Sequence, residues 1–245
     1  MKNEKIILAI VMVVGIIIST YILGNAYKYK FKANETIEVT GLAKKDFESD
    51  LVRWSASFKK NDMDLKLASE ELNKDKQIVK QFLRSKGIVE KEIIFDAIDI
   101  SKDFTYIQQD NGTSTQIFNG YILTQSVSIE SKNLNKIDEV SREVSSLISQ
   151  GIELNSNSPA YYFSKLEDLK LELISQATEN AKKRAENISD KAGSSLGNLL
   201  NAKLGIFQIT GQNDSEEDFS SGGVFNTKSR KKTANITVKL IFKSN

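Results

Sequence analysis

The chain has 245 residues, 40% hydrophobic and 27% charged, with 34 Lys and Arg against 32 Asp and Glu. That is the make-up of an ordinary globular protein with room for one or two domains, and it carries no charge excess to draw it to nucleic acid. There is no His and no Cys, which excludes Ser-His-Asp and Cys-His catalysis, thiol redox chemistry, disulfides, imidazole- or thiolate-based zinc sites and lipoprotein anchoring through a cysteine.

Lys2 and Lys5 precede an uncharged stretch from Ile6 to Gly24. As a helix this run is about 28 Å long, close to the ~30 Å hydrocarbon core of a bilayer. It is apolar on every side, so Ile6, Val11, Ile16 and Gly24 are expected to span the membrane. Tyr21, Tyr27, Tyr29 and Phe31 lie near or between Lys28, Lys30 and Lys32, which suits an aqueous interface. Gly24-Asn25-Ala26 also reads as a signal-peptidase site, although the apolar run exceeds the usual 7–15 residues of a signal core. Positive charge flanks both ends, so charge bias does not orient the segment. Few residues precede it and a whole domain follows, which favours export of that domain. Residues 1–27 are therefore an anchor or signal segment and 28–245 an extracytoplasmic domain.

Residues 36–41 and 51–58 alternate, with Ile37 and Val39, then Val52, Trp54, Ala56 and Phe58, each sharing a face; both predict half-buried strands. Leu65, Ala68, Leu72, Val79, Phe82 and Leu83 then fall at helical spacing, stopped by Gly87. Strands return at 92–106 and 117–130, with Tyr121, Leu123, Val127 and Ile129 on one face and Asn111-Gly112 as the turn. Leu134, Ile137, Val140, Val144, Leu147 and Ile148 stripe a second helix ended by Gly151. A short strand region follows at 152–163. The third helix opens on Ser164 and Glu167 as a capping box. Its face is Leu166, Leu169, Leu173, Ile174, Ala177, Ala181, Ala185, Ile188 and Ala192, and its small residues permit close packing. Strands are predicted at 203–210 (Leu204, Ile206, Gln208) and 234–243 (Ile236, Val238, Leu240, Phe242), separated by a polar loop, 211–233. This order predicts an α+β fold: a transmembrane helix, then a mostly antiparallel sheet domain with about three packed helices.

Thr36-Ile-Glu-Val-Thr-Gly41 followed by Ser49-Asp50-Leu51-Val52-Arg53-Trp54 resembles the opening of the SIMPL-domain proteins. Gly120-Tyr121 with the strand after it resembles their middle. Ala177, Ala181, Lys182, Arg184, Ala185, Ala192, Gly193, Leu196 and Gly197 resemble their late helix, and Ile236–Leu240 their final strand. The resemblance spans roughly 34–243 and rests on order and spacing. It implies a bacterial envelope protein of poorly defined role, linked in some members to large oligomers and to envelope stress. It brings no agreed catalytic residues.

The remaining acid/base groups offer no catalytic pattern. Asp46, Glu48 and Asp50 cluster before the second strand and read as turn capping. Asp96 and Asp99, three apart in a predicted strand, lie on opposite faces. Asp214, Glu216, Glu217 and Asp218 could hold calcium but lack an EF-hand's glycine and spacing. Lys228, Arg230, Lys231 and Lys232 read as a loop end, as partners for that acidic patch, or as contacts to anionic lipid. The Asn-x-Ser/Thr sequences at Asn34, Asn111, Asn187, Asn213 and Asn235 read as accidental. The adjacent Tyr161, Tyr162 and Phe163 cannot share one core face; they would form an assembly surface or touch another element. Trp54 is expected in the core.

No catalytic, cofactor or metal residues are assigned. The expected function is non-enzymatic: a single-pass membrane protein, its C-terminal domain periplasmic, that self-assembles into a homo-oligomer or binds an envelope protein partner. It contacts the lipid bilayer through its N-terminal helix and binds no nucleic acid. The alternative is a small-ligand-binding protein or a carboxylate-dependent hydrolase of the envelope.

Overall fold

The computed structural model describes residues 2–32, 35–108, 114–213 and 222–244; the Asn111-Gly112 turn and the 214–218 acidic patch lie outside them. The first element is α1 (Lys2–Lys32). Its Ile10–Lys28 stretch is long and apolar enough to cross a membrane, and none of it is buried against protein. Then come β1 (Thr36–Glu48), β2 (Leu51–Asp62), α2 (Leu65–Ser85), β3 (Ile93–Phe95), β4 (Asp99–Gln108), β5 (Ser114–Ser131) and α3 (Leu134–Glu143). The chain ends with β6 (Leu154–Ser156), β7 (Ala160–Tyr162), α4 (Leu166–Ala192), β8 (Leu196–Leu204), β9 (Gln208–Gly211) and β10 (Lys231–Ser244). The fold is α+β, with every strand ladder antiparallel.

Two sheets build two cores. In the first, β10 lies between β1 on one side and β8 and β9 on the other. Alternate residues Ile236, Val238, Leu240 and Phe242 of β10 and Val39 and Ala43 of β1 turn inward onto Leu169, Leu173, Ala177, Ala181 and Ala185 of α4. The helix meets β1 at backbone distance. A Cβ on Gly41 would stand 2.1 Å from the Ala177 carbonyl oxygen and 2.8 Å from the Ala181 Cβ, so only glycine fits opposite these alanines. A stripe repeating every fourth residue drifts about 40° per step around a helix of 3.6 residues per turn. The stripe of α4 follows that drift through to Ser189, which is buried, whereas the predicted Ile188 is half exposed and Ala192 lies outside the core. Asn180 and Arg184 of the same helix reach the outer edge of β1. Asn180 Oδ1 accepts from Leu42 N–H at 3.3 Å, and Arg184 donates to Thr40 O at 3.0 Å.

In the second sheet, β5 lies between β2 and the pair β3 and β4, with β6 and β7 on the far side of β2. Val52, Trp54, Ala56 and Phe58 of β2 and Leu123, Val127 and Ile129 of β5 pack against Ala68, Leu72, Val79 and Leu83 of α2 and Ile137 and Val140 of α3. Trp54 is fully buried and donates from Nε1 to Ser156 Oγ at 3.1 Å.

Several local expectations change. Ser164 does not cap α4: its N–H and hydroxyl both donate to the Asp50 carboxylate, at 2.7 and 2.5 Å, and Lys165 takes the N-cap position. After Glu143 the chain tightens into a 3₁₀ turn, Val144–Gln150. Its three-residue period keeps Val144 and Leu147 inside and turns Ile148 out. Asp96 precedes β4 rather than lying in a strand. The predicted strand 203–210 is two strands broken at residues 205–207, and Leu204 and Ile206 are exposed.

The close approach at Gly41 has a measurable consequence. Gly41→Ala is expected to lower the unfolding free energy by about 1–3 kcal/mol, the usual cost of overpacking. Urea unfolding of the two proteins checks this; equal midpoints would mean that α4 has room to move.

Candidate functional site

Two regions gather unusual side chains: the junction between the cores and a hairpin that leaves the second sheet. At the junction, β1 passes into β2 through Ser49 and Asp50 without pairing with it. Ser49 N–H donates to Arg230 O at 2.9 Å and Asp50 N–H to Tyr162 O at 3.0 Å, which ties the crossing to both sheets. The three adjacent aromatics straddle it. Tyr161 packs against the second core and Phe163 against the first. Phe163 meets Phe47 at 4.9 Å between ring centroids, and Tyr162 meets Phe225 at 6.4 Å. These residues contact other elements, one of the two roles expected for them.

The predicted basic cluster is dispersed by the same junction. Lys232 is buried within β10, its Nζ donating to Tyr161 O at 2.9 Å and to Asn226 O. Arg230 pairs with Glu48 at 2.7 Å and donates to Asn135 Oδ1. The cluster is therefore split: Lys228 and Lys231 are exposed, Arg230 is paired and Lys232 is buried, with Lys231 and Lys232 falling on opposite faces of β10. Within the predicted loop 211–233, Asn226, Lys232 and Thr233 are buried.

The candidate carboxylates are committed to structure. Asp46 accepts from Thr233 Oγ1 at 2.6 Å and from Gln212 at 3.1 Å, and these hydrogen bonds hold its carboxyl below the usual range. Glu48 is held by Arg230, and Asp50 by Ser164. Around them lies an open groove of about 680 Å³, lined by Glu48, Ser49, Asp50, Lys132, Asn133 and Arg230 among others. Among the described residues no cluster of three or more metal-ligating side chains occurs. One buried carboxylate escaped the sequence reading. Asp75 lies on the inward face of α2, 3.2 Å from Lys60 Nζ of β2.

The second region is the far end of the β4–β5 pair. β2 accompanies β5 only as far as Tyr121, opposite Asp62. From Gly120 outward, among the described residues, β5 has only β4 beside it, up to the pair Gln108 and Ser114. A two-stranded arm results, and it carries large apolar side chains among polar ones on both faces. The pair Phe104 and Phe118, together with Tyr106, occupies one face; Ile107 and Ile117 occupy the other. Phe104, Phe118 and Tyr121 stack edge-on in series, with centroids 5.6 and 5.2 Å apart. Tyr106 is 68% exposed, Ile107 48% and Ile117 44%. Gly120 permits the departure: its φ is +124° and its Cα faces the Asp62 carbonyl so closely that a Cβ would lie 2.5 Å from it.

Comparison with known families now places the chain. The model of the SIMPL family, whose description reads "Protein of unknown function (DUF541)", matches residues 37–242. The chain belongs to the SIMPL family. No curated protein matches it. The matched segment of this SIMPL protein contains both sheets, the junction and the arm, and it leaves α1 outside. On α1, Val11 and Ile16 are exposed, and no atom lies near the position a Gly24 Cβ would take.

The junction makes a pH prediction. Burial, then the hydrogen bond from the Tyr161 hydroxyl to Asp138 Oδ1 at 2.6 Å, push the Tyr161 phenol up to about 12. The folded protein holds this proton more tightly than the unfolded chain, so its stabilising effect is complete below pH 10 and is lost as pH rises from 10 to 12. Absorbance titration of the tyrosines should show a late phenol that is absent in Tyr161→Phe. A late phenol that persists in the variant would assign it elsewhere.

Proposed function

We propose that this SIMPL protein is a non-catalytic, single-pass membrane protein of the cell envelope. In this reading residues 1–27 are the anchor and 28–245 the extracytoplasmic domain it holds, which works by assembling with itself or with an envelope partner. Ile6, Val11, Ile16 and Gly24 lie in the bilayer. A helix apolar on all sides with no protein packed on it has lipid as its natural surrounding.

The observation that carries the binding role is the β4–β5 arm. A two-stranded ribbon alone is marginally stable in water, and this one exposes aromatic and branched side chains on both faces. Burying them against a partner would stabilise by about 25 cal/mol for each Å² of apolar surface covered. The junction gives a hydrolase reading less support, since Asp46, Glu48 and Asp50 are each tied to a structural partner.

The test uses the full chain in its own membrane. A photo-crosslinking residue in place of Tyr106 should give adducts with a second copy or with another envelope protein. The same probe in a Phe104→Ser, Ile117→Ser background should lose most of them, by roughly tenfold for each ~1.4 kcal/mol of contact removed. Because the chain has no Cys, Thr237→Cys supplies a single thiol to read topology. Its labelling by a membrane-impermeant maleimide in intact cells is expected. No adduct at Tyr106, or labelling only after lysis, would overturn the proposal.

A further inference from the structure

The first sheet treats its edges unequally. β1 is blocked by Asn180 and Arg184, which occupy outward-facing backbone groups at Leu42 and Thr40. β9 is covered by the segment after residue 223: Ile209 N–H donates to Val224 O at 2.8 Å, and Asn226 N–H to Ile209 O at 2.9 Å. Among the described residues no strand pairs with the outer edge of β8. Every residue from Asn198 to Leu204 is exposed, with Leu199, Leu200 and Leu204 each more than half exposed. A long apolar edge of this kind is a template for another strand.

The blocked edges select the partner. Edge-to-edge growth from β8 onto β1 of the next copy would make an open filament, and the side chains of α4 obstruct it. Of the first sheet's own edges β8 onto β8 remains, and antiparallel pairing of like strands closes after two copies. The sequence of the strand fits that arrangement. Leu200-Asn201-Ala202-Lys203-Leu204 reads nearly the same in both directions about Ala202. Antiparallel self-pairing centred there sets Leu200 opposite Leu204, Asn201 opposite Lys203, and Ala202 opposite its own copy. Leucines flank the small residue at the axis. The only charge in β8, Lys203, faces an amide rather than another lysine. Residues 201–204 pair with β10 in unbroken register, so four of the five residues of this segment lie on a regular inner ladder; the shift falls at Leu200, which has no partner in β10.

We propose that a second copy of the chain pairs with it through β8, antiparallel, about a two-fold axis at Ala202, joining the two first sheets into one. This rests on the assembly reading above and names its partner and symmetry.

The test again uses the absence of native cysteine. Directly opposed residues of an antiparallel pair have Cα atoms about 4.5–5.5 Å apart, within disulfide range. Full-length protein carrying Ala202→Cys, oxidised mildly in native membranes, should run mainly as a covalent dimer. Leu42→Cys, exposed on the blocked strand, should give at least tenfold less. Leu200→Lys with Leu204→Lys should abolish the Ala202→Cys dimer and leave the circular dichroism spectrum unchanged, since both side chains are exposed. Absence of the Ala202→Cys dimer, or its equal formation at Leu42→Cys, overturns the proposal. The Phe104→Ser, Ile117→Ser arm variant should leave the Ala202→Cys dimer intact, so failure of the arm and failure of this edge are read separately.

Discussion

Backbone against backbone at the crossing of α4 over β1 is the contact on which the first core depends. Gly41 and the alanines at 177, 181 and 185 remove the side chains that would otherwise separate helix from strand. With the helix this low, Asn180 and Arg184 can reach over the edge of β1 and bond its outward peptide groups. Larger residues along the stripe would lift the helix and release those bonds. Core packing and edge protection therefore come from one choice of small residues.

The junction solves a different problem: how two cores share a chain without a flexible linker. It uses a two-residue crossing from β1 to β2, Tyr161 packed on one core and Phe163 on the other, and a buried lysine donating to two carbonyls. The two carbonyl acceptors offset part of the cost of taking that amine out of water. The chain's single proline, Pro159, lies just ahead of the aromatics and marks no domain boundary.

Where one face of an element meets the core and the other meets water, the sequence was readable. Val52 to Phe58, Ile236 to Phe242 and the alanine stripe announced themselves by period, and their order carried the family resemblance. Patterns failed where that contrast is missing. β8 is exposed on both faces, so its leucines do not alternate with polar residues in any way that marks a strand. Asp75 sits on the buried face of α2 because Lys60 comes from another element to meet it, a pairing no local window contains. Lys232 looked like part of a surface run because its neighbours in sequence are basic, yet its neighbours in space are carbonyl groups. The arm was legible as strands, but its projection depends on where β2 stops, a fact of the partner strand and not of its own residues.

The order in which the strands are joined bears on how the protein is made. The second core is built within residues 52–161, while the first sheet pairs Thr36, near its beginning, with Lys243, near its end. During synthesis the second core can close early, but β1 must wait for β10, about 200 residues further along the chain. Until then a strand thirteen residues long stays unpaired. A chain cut short before β10 would keep one finished core and one open sheet, the form that housekeeping proteases recognise and remove.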